Sequence, residues 1–352
     1  MAAALPLWHR AFARLVDDDR TETRLAAAEA NAAICAGAGR GLAAHLKRVA
    51  PAWFAAAHDE DATVAAAASA SFARVFATEE RRRAVLTRFA GEVLGRVAEK
   101  LAGEGDAFGA RASRDDAGGE GSAEAPSEAR RERSERTRAA ALRTLAGFVR
   151  AADTSSRDVF AEIVRALDAI PGGLRKCAAS PSAQTRRAAY GAALALAGAD
   201  GVFGETDEAT DEAPLAKEKR RSAFAAVALL DATDETDGSS LGEARELTLG
   251  FLNLRGDAAW EDLAAFLETD GVSAATDRKK KRFDSIDAFL GSLERHVSSG
   301  CHGAAEASAP SVLPLLAALP RGALVEKDRL RRLLASLWEG YRLCNVPSRS
   351  AD

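Results

Sequence analysis

The feature that most constrains the fold of this chain is a helix-start signal that recurs along it. Three stretches, DDDRTETRLAAAEANAAI, HDEDATVAAAASASFARVF and SPSAQTRRAAYGAALAL, each place a polar turn before a Thr and an alanine-rich helical pattern. In the third stretch we expect Ser180 to cap the helix and Pro181 to occupy its first position. A repeated start predicts a repeat protein, in which each start opens the second helix of a helix pair.

The spacing of the starts supports this interpretation. Aligned on the Thr and the residue after it, the starts are Thr23-Arg24, Thr63-Val64, Thr137-Arg138 and Thr185-Arg186. Arg24 to Val64 spans 40 residues, and Arg138 to Arg186 spans 48. Both intervals are close to the period of HEAT and armadillo repeats, about 40–47 residues.

The longer middle interval is explained by an insertion. Residues 103–135 are Gly, Ser, Glu and Arg-rich, with Phe108 as the one large apolar residue. Such a segment buries too little apolar surface to offset its ordering entropy, so we expect it to be disordered. The predicted organisation is therefore N-terminal HEAT-like repeats at 1–102, a disordered low-complexity insertion at 103–135, HEAT-like repeats at 136–203, an acidic loop at 204–221, and HEAT-like repeats at 222–345.

Helical stripes fill the space between the starts. Val85, Phe89, Val93, Val97 and Leu101 lie on one helical face, and a similar pattern near the end of the chain runs from Leu330 to Tyr341. Alternating strand patterns are missing, and the apolar content depends heavily on Ala, the best helix former. The predicted fold class is all-α, a HEAT/armadillo-like α-solenoid of stacked helix pairs, with four tryptophans as core anchors: Trp8, Trp53, Trp260 and Trp338.

The sequence contains no catalytic constellation. The phosphate-binding pattern GxxxxGK[ST] and the hydrolase pattern GxSxG are both absent. GAGRGL at 37–42 resembles a phosphate loop only loosely, and a helix terminator followed by a turn fits it better. No His or Cys shows the spacing of metal ligands, so we predict no catalytic residue, no metal site and no cofactor in this chain.

The sequence also limits where the protein can be located in the cell. No uncharged apolar run approaches the roughly 20 residues needed to span a bilayer. The acid-free opening MAAALPLWHRAFARLV suits a transit peptide, but a first helix of the array fits better because Leu7, Phe12 and Leu15 continue into the next turn. Four scattered cysteines without a CxxC pair indicate buried thiols in a reducing compartment.

One dense basic cluster is the candidate binding segment, and it comprises Arg278, Lys279, Lys280, Lys281 and Arg282. It suits contact with phosphate groups or a nuclear address. A solvated loop before the helix FDSIDAFLGSLERHV is the simpler interpretation, and both remain open. The net charge of -4 gives the whole chain no attraction to nucleic acid, and no DNA partner is expected.

Particular residues resemble the amino-terminal HEAT region of the listerin family. The resemblance begins with Pro6 and Trp8, continues through Asp18 and Arg24, and includes the helix pattern L-x-x-x-L-K-x-x-x-x-x-W that ends at Trp53. It extends through KCAASPSAQTRRAAYGAALAL, LRGDAAWEDLAAFL and GAAEASAPSVLPLLAALP, roughly from Leu5 to Pro320. No single motif is highly specific, but their order and spacing together are.

The resemblance implies the role of a RING-type E3 ubiquitin ligase in ribosome-associated quality control. Such a protein binds the stalled 60S ribosomal subunit together with a nascent-chain-sensing factor, and it ubiquitinates the trapped nascent chain for proteasomal degradation. It also implies a ubiquitin-conjugating enzyme as a partner through the RING, zinc within the RING, and a cytosolic, ribosome-associated location without membrane contact.

The sequence departs from the family in two respects. The family's segment before LPLWHR is missing, and no Cys/His pattern matches a RING, so no catalytic residue can be carried over. We therefore expect a partial chain or a truncated gene model that supplies the docking part of the ligase. The alternative is a free-standing HEAT scaffold for protein interactions without a ubiquitin-ligase role, since concave repeat surfaces suit both functions.

Overall fold

The computed structural model describes residues 5–102, 128–170, 173–199, 214–269, 278–298, 312–325 and 328–344. All regular secondary structure in these ranges is helical, which confirms the predicted all-α class. The chain divides into two compact units, the first comprising Met1–Gly173 with Ala199–Ala209 and the second Leu174–Gly198 with Thr210–Asp352.

The first unit stacks helices in two layers. Its helices are α1 Leu5–Leu15, α2 Thr21–Ala38, α3 Leu46–Ala56, α4 Ala62–Val75, α5 Glu79–Arg88, α6 Ala90–Leu101, α7 Glu128–Ala151 and α8 Arg157–Asp168, with a 3-10 helix at Gly39–His45. α1, α3, α6 and α8 contact one another in that order and form one layer, while α2 packs on α4 in the other. α1 pairs with α2 and α3 with α4, so the predicted helix pairs are present.

Aromatic residues and alanines build the core of the first unit. Trp53 is fully buried, and its indole Nε1 donates to the Ala68 carbonyl and to Ser71 Oγ at 3.2 and 2.8 Å. The Phe72 ring meets the Trp53 ring edge-on at 5.2 Å. Trp8 lies on Phe12 and donates to the buried Asn31. Alanines on α2 and α4 let these helices approach closely enough for the large rings to fill the space between the layers.

The second unit repeats the helix-on-helix pattern. Its helices are α9 Gly173–Ala178, α10 Ala183–Ala197, α11 Pro214–Ala226, α12 Leu241–Arg255, α13 Ala258–Thr269, α14 Arg278–Ser298 and α15 Arg329–Cys344, and residues 312–317 are also helical. α11 continues into a π-helical turn at Val227–Asp231. α10 packs on α12, α11 packs on α13, and α14 contacts both α13 and α15.

Three of the four aligned sequence starts are helix starts. Thr23 and Thr185 are each the third residue of a helix, and Thr63 is the second residue of α4, whose Asp61 side chain caps the helix by accepting from Thr63 N. Thr137 instead lies inside α7. The expected cap at Ser180 is wrong by two residues, because Ser182 caps α10 and accepts from Thr185 N, while Ser180 Oγ accepts from Ser182 N.

Two helices begin within segments expected to be irregular. α7 begins at Glu128, within 103–135, and α11 begins at Pro214, within 204–221. The rest of the insertion, and the acidic stretch before Pro214, lie outside the described residues. The five-part division of the chain therefore stays a prediction.

The expectation that all four tryptophans anchor cores is wrong for one of them. Trp260 is buried and meets Phe289 edge-on at 5.5 Å. Trp338 is 63% exposed, and it stacks on Tyr341 along a face of α15 that also exposes Leu330 and Leu334. Only part of the apolar stripe predicted at the end of the chain is therefore buried. Leu333 is buried, whereas no described residue covers Leu330, Leu334 and Trp338.

Candidate functional site

Three helices begin with the same arginine arrangement. Arg24, Arg82 and Arg186, hereafter the turn arginines, are each the fourth residue of their helix. In each, Nη1 donates to the backbone carbonyl six residues earlier and to the one five residues earlier. The two distances are 3.1 and 3.4 Å for Arg24, 3.1 and 3.3 Å for Arg82, and 3.0 and 3.2 Å for Arg186. Each arginine therefore holds together the turn that enters its helix, and its Nε/Nη2 edge is left to face elsewhere.

In two of the turn arginines this edge is filled by a carboxylate. Arg24 Nε and Nη2 donate to the two Asp59 oxygens at 2.8 and 3.0 Å, and Arg186 donates to Glu235 in the same way at 2.8 and 3.0 Å. The acids lie in the turns before α4 and α12. Because parallel bidentate pairs are among the strongest hydrogen bonds in proteins, these two contacts join each start to a helix of the following repeat.

A related contact occurs at the start of α15. Arg329 is fully buried, its Nη1 donates to the Ala323 carbonyl six residues earlier at 2.8 Å, and its Nε donates to Asp287 at 2.6 Å. Here too a carboxylate from a neighbouring helix neutralises the arginine. A buried guanidinium without such a partner would be costly.

The Nε/Nη2 edge of Arg82 has no such partner. Within the described part of the chain, no carboxylate oxygen lies within 4.0 Å of its guanidinium, whereas Arg83 beside it pairs with Glu79 at 3.1 Å. The Glu80 carboxylate accepts hydrogen bonds from its own backbone N–H and from the Thr78 side chain. Both lower the pKa of Glu80, the backbone hydrogen bond more than that of Thr78. Arg82 therefore lacks the ion pair that the equivalent arginines have.

Arg82 lines an open cleft of about 320 Å³ in the first unit, hereafter the Arg82 cleft. The residues around it come from α3, α4, α5, the turn after α3 and the end of α7: Phe54, Ala57, His58, Ser69, Phe72, Ala73, Glu79, Arg82, Arg83, Leu86 and Ala151. Three buried apolar side chains, those of Phe54, Phe72 and Leu86, form its floor.

His58 contributes a neutral wall to this cleft. Its ring meets Phe54 edge-on at 4.6 Å, and a Cβ added at Gly147 would overlap the imidazole, so glycine is required where α7 passes. Burial lowers the pKa of His58 to about 4, and the charge of Arg150 acts in the same direction. The imidazole is therefore uncharged near neutral pH, and Arg82 carries the one charge on the cleft lining that no ion pair within the described residues neutralises.

Further ion pairs fasten the first turn of the chain to later helices. Asp17 pairs with Arg96 at 2.7 Å and with Lys100, and Asp19 pairs with Arg133 and Arg136. These acids tie the turn between α1 and α2 to α6 and α7. Because each of these charges has an opposite charge within the fold, we assign them to fold stability rather than to ligand binding.

The basic run Arg278–Arg282 forms the first residues of α14, whose backbone is helical from Arg278. The interpretation as a loop before the helix is therefore wrong, since the helix extends back through the run. The side chains of these five residues lie outside the described part of the structure. Their role as a binding segment stays a prediction.

Metal and thiol chemistry find no support among the described residues. No group of three or more His, Cys, Asp or Glu side chains there could hold a metal ion. Cys35 and Cys177 are buried and take part in no disulfide, and burial raises the pKa of the Cys35 thiol to about 12, so this thiol is protonated near neutral pH. None of the described helices is long and apolar enough to cross a membrane.

Sequence reasoning missed the turn arginines as functional residues. Arg24 entered it as an alignment position and as part of the family resemblance, Arg186 entered it only as an alignment position, and Arg82 was hidden in the run Arg81–Arg83. The available signal was an Arg at the fourth helical position after a polar turn. Which of these arginines meets a carboxylate depends on the next repeat, and that required the structure.

The comparison with known families gives one result. Residues 1–158 match the family model described as E3 ubiquitin-protein ligase listerin, N-terminal domain. No curated protein matches the chain. The resemblance to the amino-terminal region of listerin is thereby confirmed for the first unit up to residue 158.

Proposed function

We propose, from the match of residues 1–158 to the listerin N-terminal domain family, that this chain is the ribosome-docking part of a listerin-type E3 ubiquitin ligase. In this role it binds the 60S subunit of a stalled ribosome, so that the incomplete nascent chain is ubiquitinated for proteasomal degradation. The family match is the observation that carries the proposal.

The chain's own residues fit docking rather than catalysis. RING domains need zinc ligands of Cys and His at fixed spacing, and the four cysteines of this chain, Cys35, Cys177, Cys301 and Cys344, are far apart. Ubiquitin transfer and the ubiquitin-conjugating enzyme therefore belong to a RING that these residues do not form. The nascent-chain-sensing factor is the partner expected to bind together with the 60S subunit in the cytosol.

The rigidity of the first unit supports a docking role. A surface that recognises a large particle must be preorganised, because ordering it on binding costs free energy. The Arg24–Asp59 contact and the pairs of Asp17 and Asp19 fix the turns of the first repeats to neighbouring helices. We infer that these fixed turns are the preorganised part of the docking surface.

Electrostatics decide how such docking should respond to salt. Ribosomal RNA presents phosphates, so each Lys or Arg that contacts them releases counterions, and the slope of log affinity against log salt falls by roughly 0.7–0.9 per contact. The run Arg278–Arg282 concentrates five positive charges in one helical turn and its continuation. We assign it a contact with ribosomal RNA.

Co-sedimentation with purified ribosomal subunits tests the proposal. The 352-residue chain should pellet with 60S and not with 40S subunits at low salt, and the nascent-chain-sensing factor should increase the bound fraction. Changing Arg278–Arg282 to Ala should weaken binding and flatten its salt dependence.

A matched control removes the same charge elsewhere. It changes five exposed arginines scattered over the surface to Ala: Arg74, Arg131, Arg157, Arg321 and Arg331. An equal loss in both variants would mean that total charge, and not the run, governs binding. Wild-type protein that stays in the supernatant even with the sensing factor present would favour the free-standing scaffold.

A further inference from the structure

The turn arginines provide an internal comparison that points to a ligand. Arg24 and Arg186 donate from Nη1 to two carbonyls and from the Nε/Nη2 edge to a carboxylate. Arg82 makes the first set of contacts with the same geometry and, within the described residues, lacks the second. Its guanidinium is thus held in the orientation that, in the other two, receives a carboxylate.

The surroundings of Arg82 differ from those of the filled arginines in one further respect. Its side chain borders the Arg82 cleft, whose floor of Phe54, Phe72 and Leu86 is apolar. A volume of about 320 Å³ lies at the lower end of the range for ligand sites, enough for one large side chain and its neighbours. A carboxylate and an apolar group can therefore be bound side by side.

The charges on the lining favour an anion. Glu79 and Arg83 neutralise each other, and His58 is uncharged near neutral pH. This leaves Arg82 as the unpaired charge among the described lining residues. A ligand with one carboxylate would complete the same bidentate pair that Asp59 and Glu235 make within the chain.

We propose that the Arg82 cleft binds an acidic peptide segment of a partner protein, with an Asp or Glu side chain on the Nε/Nη2 edge of Arg82 and an adjacent large apolar side chain on the floor formed by Phe54, Phe72 and Leu86. This site goes beyond ribosome docking and is independent of it, because it recognises a peptide and can be measured without ribosomes.

Fluorescence polarisation with defined peptides tests the site on the 352-residue chain. The probes are labelled heptapeptides in a Gly/Ser background, acetylated and amidated at their ends, with one Asp or Glu beside one Leu or Phe. A matched set carries Asn or Gln instead of the acid. The acidic peptides should bind about tenfold or more tightly than the amides, as expected for charge-assisted bidentate hydrogen bonds.

Variants locate the binding. Arg82→Gln should abolish the preference for acid over amide, while Arg81→Gln, the same charge change on the exposed neighbouring arginine, should keep it. Because Arg82→Gln also removes hydrogen bonds to two carbonyls, Ala73→Trp gives a second route, since it fills the cleft from exposed Ala73 and leaves Arg82 intact. It should weaken binding of the acidic peptides at least tenfold.

Four outcomes would overturn the proposal. They are no binding of any probe at millimolar concentration, equal binding of acidic and amide peptides, an acid preference that survives in Arg82→Gln, and binding unaffected by Ala73→Trp. A further arm uses the amide peptides with a free carboxyl terminus. If only these bind, the cleft takes a chain terminus, and the assignment to an Asp or Glu side chain is wrong.

Discussion

The start of α2 and the start of α5 lie in the same unit and have the same arginine arrangement, but only the arginine of α2 is paired with a carboxylate. At Arg24 the Nε/Nη2 edge meets Asp59, and the pair is almost completely buried, with 5% and 9% of the two side chains exposed. At Arg82 the edge meets no carboxylate of the described chain and borders the Arg82 cleft. A repeated structural contact thus becomes a binding site when the following repeat supplies no acid.

The difference arises in the segment after each helix. After α2, the chain passes through α3 and enters a turn containing Asp59, which lies against Arg24. After α5, the chain continues into α6 with Phe89 as the single residue between them, so there is no polar turn at the equivalent place. The fold class and the helix starts depend on local patterns, but the partner of each arginine depends on contacts 35 and 49 residues away.

The largest expected effect comes from breaking the filled contact. Arg24→Gln leaves the Asp59 carboxylate buried without its cation and removes the Arg24 hydrogen bonds to the Asp18 and Asp19 carbonyls, so it should lower the free energy of unfolding by about 3–5 kcal/mol. Arg82→Gln removes only partly exposed hydrogen bonds and should cost about 1 kcal/mol. Urea unfolding followed by the fluorescence of the tryptophans measures both.

Arg81→Gln is the control for both substitutions. It should change the unfolding free energy by less than about 0.5 kcal/mol, since it is an exposed surface substitution. Equal losses for Arg24→Gln and Arg82→Gln would mean that the carbonyl contacts, and not the carboxylate, supply the stability.

The filled contact of the second unit should be somewhat less sensitive. Arg186→Gln leaves Glu235 buried, but Glu235 also accepts from two backbone amides, those of Thr236 and Asp237, whereas Asp59 accepts from one, that of Asp61. The loss should therefore be about 2–3 kcal/mol, at or below the lower end of the range for a broken buried pair. A loss larger than that of Arg24→Gln would show that these amides do not compensate.

How much of this could be predicted from the sequence can be judged from particular residues. The helices at Thr23, Thr63 and Thr185 were predicted because polar turns and alanine-rich patterns are local signals. Thr137 failed as a start because α7 extends back to Glu128 through charged residues that have good helix propensity. The exposure of Trp338 could not be predicted, since periodicity shows that a face is apolar and not whether another helix covers it.

Asp231 is a buried carboxylate that lacks the bidentate contact of Asp59 and Glu235. Its burial should therefore make the stability of the protein depend on pH. It lies at the end of the π-helical turn and meets Arg175 Nε at 3.4 Å, and burial raises the pKa of its carboxyl to about 6 despite that arginine. A raised pKa in the folded state means that the protonated form is favoured. The preference of the folded state for the protonated Asp231 carboxyl therefore stabilises the protein fully below about pH 4. This stabilisation is lost as the pH rises through about 6.

Asp231→Asn, which mimics the protonated form, should therefore raise stability by about 2–3 kcal/mol above about pH 6 and leave it unchanged below about pH 4. Thermal melts from acidic to mildly alkaline pH measure this, with Glu235→Gln as the opposite case, since it should be destabilising at neutral pH. A gain that is independent of pH would mean that the Asp231 carboxyl does not titrate differently in the folded and unfolded states.

The smallest effect is also the most decisive, because it comes from supplying the missing carboxylate to Arg82 from within the chain. Ala73→Glu places an acid on the lining of the Arg82 cleft, which also contains the arginine held by the Phe76 and Ala77 carbonyls. We expect a gain of about 0.5–1 kcal/mol in the free energy of unfolding, together with loss of binding to the acidic peptides, while Ala73→Gln shows neither change. Unchanged or lower stability in Ala73→Glu with acidic-peptide binding retained would contradict the assignment of Arg82 as an open carboxylate site.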